Sequence, residues 1–378
     1  MITTLAFGNY RSLRDLRLSV GGLTVITGGN GTGKSNVYRA LRLLVDAANG
    51  ELARALAREG GLPSAMWAGE PSARASANKT EGKRLSIGFA DDDLAYELRM
   101  GIPPRDPSAP PSAFELDPEV KAETVRTVGK PKVNLLERRS QSAMLRDHDG
   151  HPVTFSATLD LGESVLSQLA EPHRYPILSA LRERLRRWRF YHQIRTDAES
   201  PVRAIQIGTR TPVLSHDGHD LAAALQTIIE IGDERALAEA VAEAFDGATL
   251  SIASDQARFR ILFSTPGVFR PLDAAELSDG TLRYLALLAA LQSPRPPELL
   301  VLNEPEASLH PSVLVPLGRQ IIAAAKRSQV IVVSHAAALV DAIGSARDAV
   351  RIELAKEGGE TIVAGRNRLD EPPWKWTS

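Results

Sequence analysis

The sequence predicts an α/β protein with a mostly parallel central sheet, an N-terminal antiparallel β portion and a helical lobe. Three observations carry that expectation. The last third alternates helical patterns (Thr281–Gln292, Ser312–Arg327) with short unbroken apolar runs (Leu299–Leu302, Val330–Val333). Parallel strands read this way when helices cover both faces of their sheet. Near the start, the apolar run Leu23–Ile26 leads straight into a glycine-rich loop and then a helical pattern, Asn36–Leu44. Ahead of it, Met1–Val20 reads as two strands: Ile2, Leu5 and Phe7 begin one, Gly8-Asn9 turns, and Leu13–Leu18 alternates with period two.

The remaining elements follow in order. Gly21-Gly22 turns the chain into the strand before the loop. After the first helix, Glu51–Arg58 continues a helical pattern that Gly60-Gly61-Leu62-Pro63 breaks. Gly69–Lys83 is small and polar and reads as an exposed loop. Arg84–Phe89 and Leu94–Met100 read as strands joined at Asp91-Asp92-Asp93, and the proline-rich Ile102–Pro118 as a loop or irregular crossing. The basic, polar run Glu137–His151 reads as exposed, with a turn at Asp149-Gly150. From Leu161 the pattern is helical and includes the arginine-rich amphipathic Pro176–Trp188. His219–Gly232 and Asp233–Phe245 form a helical pair, and Leu250–Ile252 with Phe259–Phe263 a hairpin. The expected division is 1–68, 69–210 as an insertion or arm of mixed β and helix, and 211–378.

Bulk properties narrow the function. The 378 residues carry 45 basic and 46 acidic side chains, a formal net charge of −1, and no cysteine. Disulfides, thiolate metal sites and a cysteine nucleophile are thereby excluded. Near-neutral charge confines any nucleic-acid contact to a local patch. The N-terminus lacks a signal-peptide pattern and no apolar stretch is long enough to span a bilayer, so the expected location is cytoplasmic.

The chemistry begins at Gly28-Gly29-Asn30-Gly31-Thr32-Gly33-Lys34-Ser35, which matches the phosphate-binding loop G-x-x-x-x-G-K-[ST] between a strand and a helix. Glycines let the backbone turn tightly and aim N–H groups at phosphate oxygens, and the helix adds its positive end. Lys34 is expected to reach the β- and γ-phosphates and the Ser35 hydroxyl to ligate Mg²⁺, so the ligand is a nucleoside triphosphate. The run Leu299–Leu302 ends in Asn303-Glu304-Pro305-Glu306. A carboxylate there can orient and deprotonate water aimed at the γ-phosphorus, and Glu304 is assigned as that general base. In Leu277-Ser278-Asp279-Gly280-Thr281, Ser278 stands where a helix N-cap belongs, and with the Gly280 amide and the helix end it makes an anion site. His335 ends the run Val330–Val333, placed to contact the γ-phosphate or its water.

These stretches resemble the motifs of an ABC-type P-loop ATPase of the RecF/SMC group. Gly28–Asn36 resembles its Walker A, Leu299–Pro311 its Walker B and D-loop, Leu277–Leu285 its signature and Val332–His335 its switch histidine. The resemblance is closest to the stand-alone predicted ATPases with a Glu-Pro-Glu motif, related to the ATPase part of OLD-family proteins. It implies an ABC-type head binding ATP through Asn30, Gly31, Gly33, Lys34, Ser35 and Asn36. It also implies that two heads sandwich two nucleotides, so that Ser278 and Gly280 act in trans and ATP favours a homodimer. Arg11, in Asn9–Ser12, resembles an arginine that approaches the nucleotide. The usual Walker B aspartate is Asn303 here, whose amide supports Mg²⁺ less well than a carboxylate, so slow hydrolysis is expected. The glutamine loop is weakly marked: Gln193 is the metal-side candidate, with an ordinary polar residue as the alternative.

Two readings of function stand. The first is an ATP-hydrolysing, ATP-dimerising head acting on DNA in repair or replication maintenance. The alternative is a regulatory ATPase subunit that gates a separate effector, as in phage defence. The stretch Arg182–Arg195, with Trp188, Phe190 and Tyr191 interleaved, has a DNA-facing reading and a plainer one, a solvated helix face with its aromatics in the core. The plainer one is favoured because Glu183 interrupts the run.

Overall fold

The computed structural model describes residues 1–69, 84–103, 108, 110, 112–155, 158–192, 194–366 and 370–377. The chain forms two compact units. One contains Met1–Gly21, Gly28–Trp188 and Ile352–Ser378, and the other Gly22–Thr27 and Arg189–Arg351.

The first unit is built on an eight-stranded antiparallel sheet. Its spatial order is Leu13–Ser19, Ile2–Tyr10, Leu85–Asp91, Leu94–Gly101, Glu119–Thr127, Asn134–Arg139, Ser142–Arg146 and Pro152–Thr154. The hairpin expected at Asp91 is present, closed by Asp91 Oδ1 accepting from the Asp93 and Leu94 amides at 2.8 and 2.6 Å. Because alternate residues face opposite sides, Phe7, Ile87 and Phe89 are buried on one face. The helices Lys34–Ala48 and Pro176–Arg186 pack together in this unit, and Trp188 meets Phe89 with ring centroids 5.2 Å apart. The opposite face is smooth at Ala6, Gly8, Gly88 and Ala95, and residues 374–377 lie across it. A Cβ on Gly88 would sit 2.5 Å from the Trp374 ring, so only glycine admits that indole. Beyond it, the Thr377 amide and hydroxyl donate to buried Glu97 at 3.0 and 2.9 Å.

One expectation is corrected here. Glu137–His151 is not an exposed loop throughout; it supplies most of the strands Asn134–Arg139 and Ser142–Arg146. Its charges hid an alternating pattern. Arg138 is fully buried, its guanidinium spent on the carbonyls of Ser140 at 2.7 Å, Asp160 at 2.7 Å and Glu163. A buried arginine is tolerable when its donors are satisfied. Gly69 apart, the expected loop Gly69–Lys83 lies outside the described residues.

The second unit contains the parallel strands Arg189–Tyr191, Leu299–Asn303, Gln329–Val333 and the Leu23–Thr27 part of the loop strand, adjacent in that order. Val333 stands opposite Asn303 on one side and Ile26 on the other. The carboxyl ends of these three strands therefore share one edge, the place where open parallel sheets bind ligands. The expected helical pair is Leu221–Ile231 and Glu234–Ala244, and the expected hairpin is Thr249–Asp255 with Arg258–Ser264. One apolar core runs through this unit, from Ile228, Leu237 and Phe263 through Tyr284 to Leu300, Val332 and Leu339. Among the described residues, no helix is long and apolar enough to cross a membrane.

Candidate nucleotide site

The chain leaves the strand Leu23–Gly28 directly into the phosphate loop, and the helix Lys34–Ala48 starts at its end. Asn30 and Gly31 form the exposed tip. The Lys34 side chain is buried, its ammonium donating to the Gly28 and Gly29 carbonyls at 2.8 Å each. The loop is belted from outside by Thr361, on the strand Glu360–Val363. Its hydroxyl donates to the Thr32 carbonyl at 2.7 Å and meets the Ser12 hydroxyl at 2.7 Å. Asn36 donates to that same Ser12 oxygen at 2.9 Å. Gly33 caps the helix at φ +101°, and a Cβ there would lie 2.1 Å from Thr361 Oγ1. Glycine is required at this position twice over, for backbone and for space. Arg11 has φ +48° and a guanidinium bound to Glu59, at 2.9 Å through Nε and 2.7 Å through Nη2.

In the second unit, the carboxyl edge gathers the acids and the histidine. Asn303 is buried and its amide donates to His192 Nδ1 at 2.8 Å. Glu304 follows in the left-handed region, φ +50°, its amide bonded to the Val333 carbonyl at 2.8 Å. Glu306 is buried, and one of its oxygens accepts from the Ser334 hydroxyl at 2.8 Å and the His335 amide at 2.9 Å. The His335 ring is half exposed, with Nδ1 3.3 Å from that oxygen. Arg283 also reaches this edge, donating to the carbonyls of His192 at 2.6 Å and Glu304 at 3.2 Å. Burial pushes its pKa down, against the pull of Glu306 and Glu304.

Ser278 caps the helix Asp279–Leu291, its hydroxyl accepting from the Thr281 amide at 3.1 Å, and it is exposed. Gly280 lies so near the D-loop that a Cβ would stand 2.8 Å from the Ser308 carbonyl oxygen. Arg203 clamps the signature from behind, donating to the Leu277 carbonyl and the Asp279 carboxylate, each at 2.7 Å. Just upstream, Arg270 binds Glu276 through two nitrogens and pulls that carboxyl down to about 2.

Mg²⁺ suits the donor at Asn303. Asn303 Oδ1 is buried and has no hydrogen-bond partner among the described residues. A buried acceptor left open calls for a cation or a water bound to one. The open atom is an amide oxygen, the donor type a hard cation prefers. Gln193 lies outside the described residues. Sequence reasoning missed Thr361, Arg283, His192 and the orienting role of Glu306. Of these, only Glu306 carried a local signal, its place two residues after Glu304.

The parallel sheet, the loop and the motifs at strand ends define a P-loop ATPase fold of the SMC-head type. The chain belongs to the family described as "AAA domain, putative AbiEii toxin, Type IV TA system", which matches residues 23–341. No curated protein matches the chain. Among solved structures, the SmcHead bound to the C-winged helix domain of ScpA is 16% identical with a TM-score of 0.50, covering 96% of this chain and 97% of that one. The SMC head domain from Thermotoga maritima is 15% identical with a TM-score of 0.45, covering 97% and 99%. A third, the Pyrococcus furiosus Smc head with an extended coiled coil and a ScpA domain, gives 15% and 0.49, covering 96% and 95%. At such identity the likeness of the first speaks to the fold.

Proposed function

We propose that this protein binds ATP and Mg²⁺ on the Gly28–Ser35 loop, hydrolyses the nucleotide with Glu304 as general base, and dimerises head to head around it. The supporting observation is the shared carboxyl edge at which the strands carrying the loop, Asn303-Glu304 and His335 all end, with Val333 opposite both Ile26 and Asn303. Lys34 and the loop amides, with Asn30, Gly31, Gly33, Asn36 and Arg11, hold the phosphates and the nucleoside. Mg²⁺ bound by Ser35 and Asn303 neutralises the developing phosphate charge. Glu304 takes the proton of the attacking water, and His335, aimed by Glu306, contacts the γ-phosphate. Ser278 and Gly280, on the exposed start of their helix, bind the nucleotide of a second copy. The test is Glu304→Gln with ATP: it should trap a dimer by light scattering while turnover collapses. A monomer at all nucleotide concentrations would overturn the sandwich.

For the cellular role we favour the regulatory reading, an ATPase that gates a separate effector. The family description names a toxin system rather than DNA repair. Much of the arginine-rich stretch is also engaged within the protein. Trp188, Phe190 and Tyr191 are buried, Arg184 pairs with Asp91, and Arg186 donates to Asn49 at 2.9 Å. Arg182 bonds the Leu169 carbonyl, and Arg195 pairs with Asp197 at 2.8 Å. DNA binding in the presence of ATP that weakens steeply with salt would restore the repair reading.

A further inference from the structure

We infer that Arg283 is a positioning residue that couples the signature helix to the general base Glu304; this rests on the hydrolytic reading above. Glu304 is not glycine, yet its backbone is left-handed at φ +50°. Such a conformation persists only where the surroundings fix it. Both peptide groups flanking its Cα are fixed: the amide by the Val333 carbonyl at 2.8 Å, the carbonyl by the Ala307 amide at 3.1 Å and by Arg283 Nη2 at 3.2 Å. The direction of the Glu304 carboxylate starts from that backbone, and of the groups that hold it Arg283 is the side chain, the link from the signature helix to the base.

The same nitrogen donates to the His192 carbonyl at 2.6 Å, and the His192 ring accepts from the Asn303 amide at 2.8 Å. One guanidinium therefore steadies both the base and the metal-side residue. Arg283 lies one turn into the helix Asp279–Leu291, whose first residues are Asp279, held by Arg203, and Gly280, packed on Ser308. A displacement of the signature end is carried along a rigid helix to the base. Burial makes the link stiff: Arg283 is 7% exposed, and a charged donor removed from water has no easy substitute for the carbonyls it holds.

The test compares Arg283→Met and Arg283→Lys with wild type in steady-state ATP hydrolysis and in titration with a fluorescent ATP analogue. Arg283→Met should lose about 100-fold in kcat, the scale of a misplaced catalytic group, with KM and analogue affinity within about twofold. Arg283→Lys, which keeps one charged donor, should recover part of that loss. In a Glu304→Gln background, Arg283→Met should cost nothing further, since the group it aims is gone. Unchanged kcat in Arg283→Met, or equal and additive losses with and without Glu304, would overturn the coupling. If Arg283→Met does not fold, the lysine variant decides: a kcat fall at constant KM supports the role, and wild-type kcat overturns it. A wild-type protein that neither binds nor hydrolyses ATP would instead bring down the hydrolytic reading.

Discussion

His335 is aimed by Glu306: its amide donates to the carboxylate at 2.9 Å and its ring nitrogen Nδ1 stands 3.3 Å from the same oxygen. The Ser334 hydroxyl fixes that oxygen further at 2.8 Å. Replacing Glu306 with alanine removes the acceptor and frees a half-exposed ring. We expect a kcat loss on the order of 10–100-fold, the range seen when partners that orient reactive groups are removed. Nucleotide affinity should stay near wild type. Steady-state kinetics beside an affinity titration check this, and a matching loss of affinity would contradict it.

The trans assignment of Ser278 predicts complementation. Ser278→Arg should abolish hydrolysis yet leave nucleotide binding nearly intact, at a stability cost of about 1 kcal/mol for the lost helix cap. Lys34→Ala should lose binding at its own loop. Mixing the two inactive variants should restore part of the activity, because each mixed dimer holds one intact loop facing one intact signature. No recovery on mixing counts against the shared site.

At Gly33, alanine would place its Cβ 2.1 Å from Thr361 Oγ1 and 2.7 Å from Ser12 Oγ, at a φ of +101°. We expect Gly33→Ala to destabilise the protein by about 1–3 kcal/mol and to abolish ATP binding. Adding Thr361→Ala removes the closest atom and should return part of the stability but little of the binding. Thermal melts with a fluorescent ATP analogue separate the two effects.

Asp46, in the helix that follows the loop, has its carboxyl pushed up to about 6, chiefly by burial, against the pull of Arg42 and Arg58. Its folded-state pKa lies above the ordinary carboxylate value, so between about 4 and 6 the folded protein binds the proton more readily. Its contribution to stability therefore falls as pH rises through that window, by up to about 3 kcal/mol. Asp46→Asn should be more stable than wild type at pH 7, with the gap closing below pH 4. Urea midpoints of both proteins across that range measure it.

The sequence by itself determined the parts whose chemistry is local. A phosphate loop needs its glycines, lysine and serine within one turn, a base must end a buried strand, and a cap must begin a helix. The places of Gly28–Ser35 after a strand, Ser278 at a helix start and Glu304 after a strand were therefore legible from spacing, as were the unbroken apolar strands of the last third. Charge misled at Glu137–His151, because Arg138 is buried among carbonyls that no local pattern announces. Only the tertiary structure decided what holds the site in shape. Thr361 and Thr32 are 329 positions apart, and Arg283 and His192 are 91 apart. A hydrogen bond depends on distance in space, not along the chain, and a threonine or arginine in a strand or helix reads as ordinary until folding brings its partner within 3 Å.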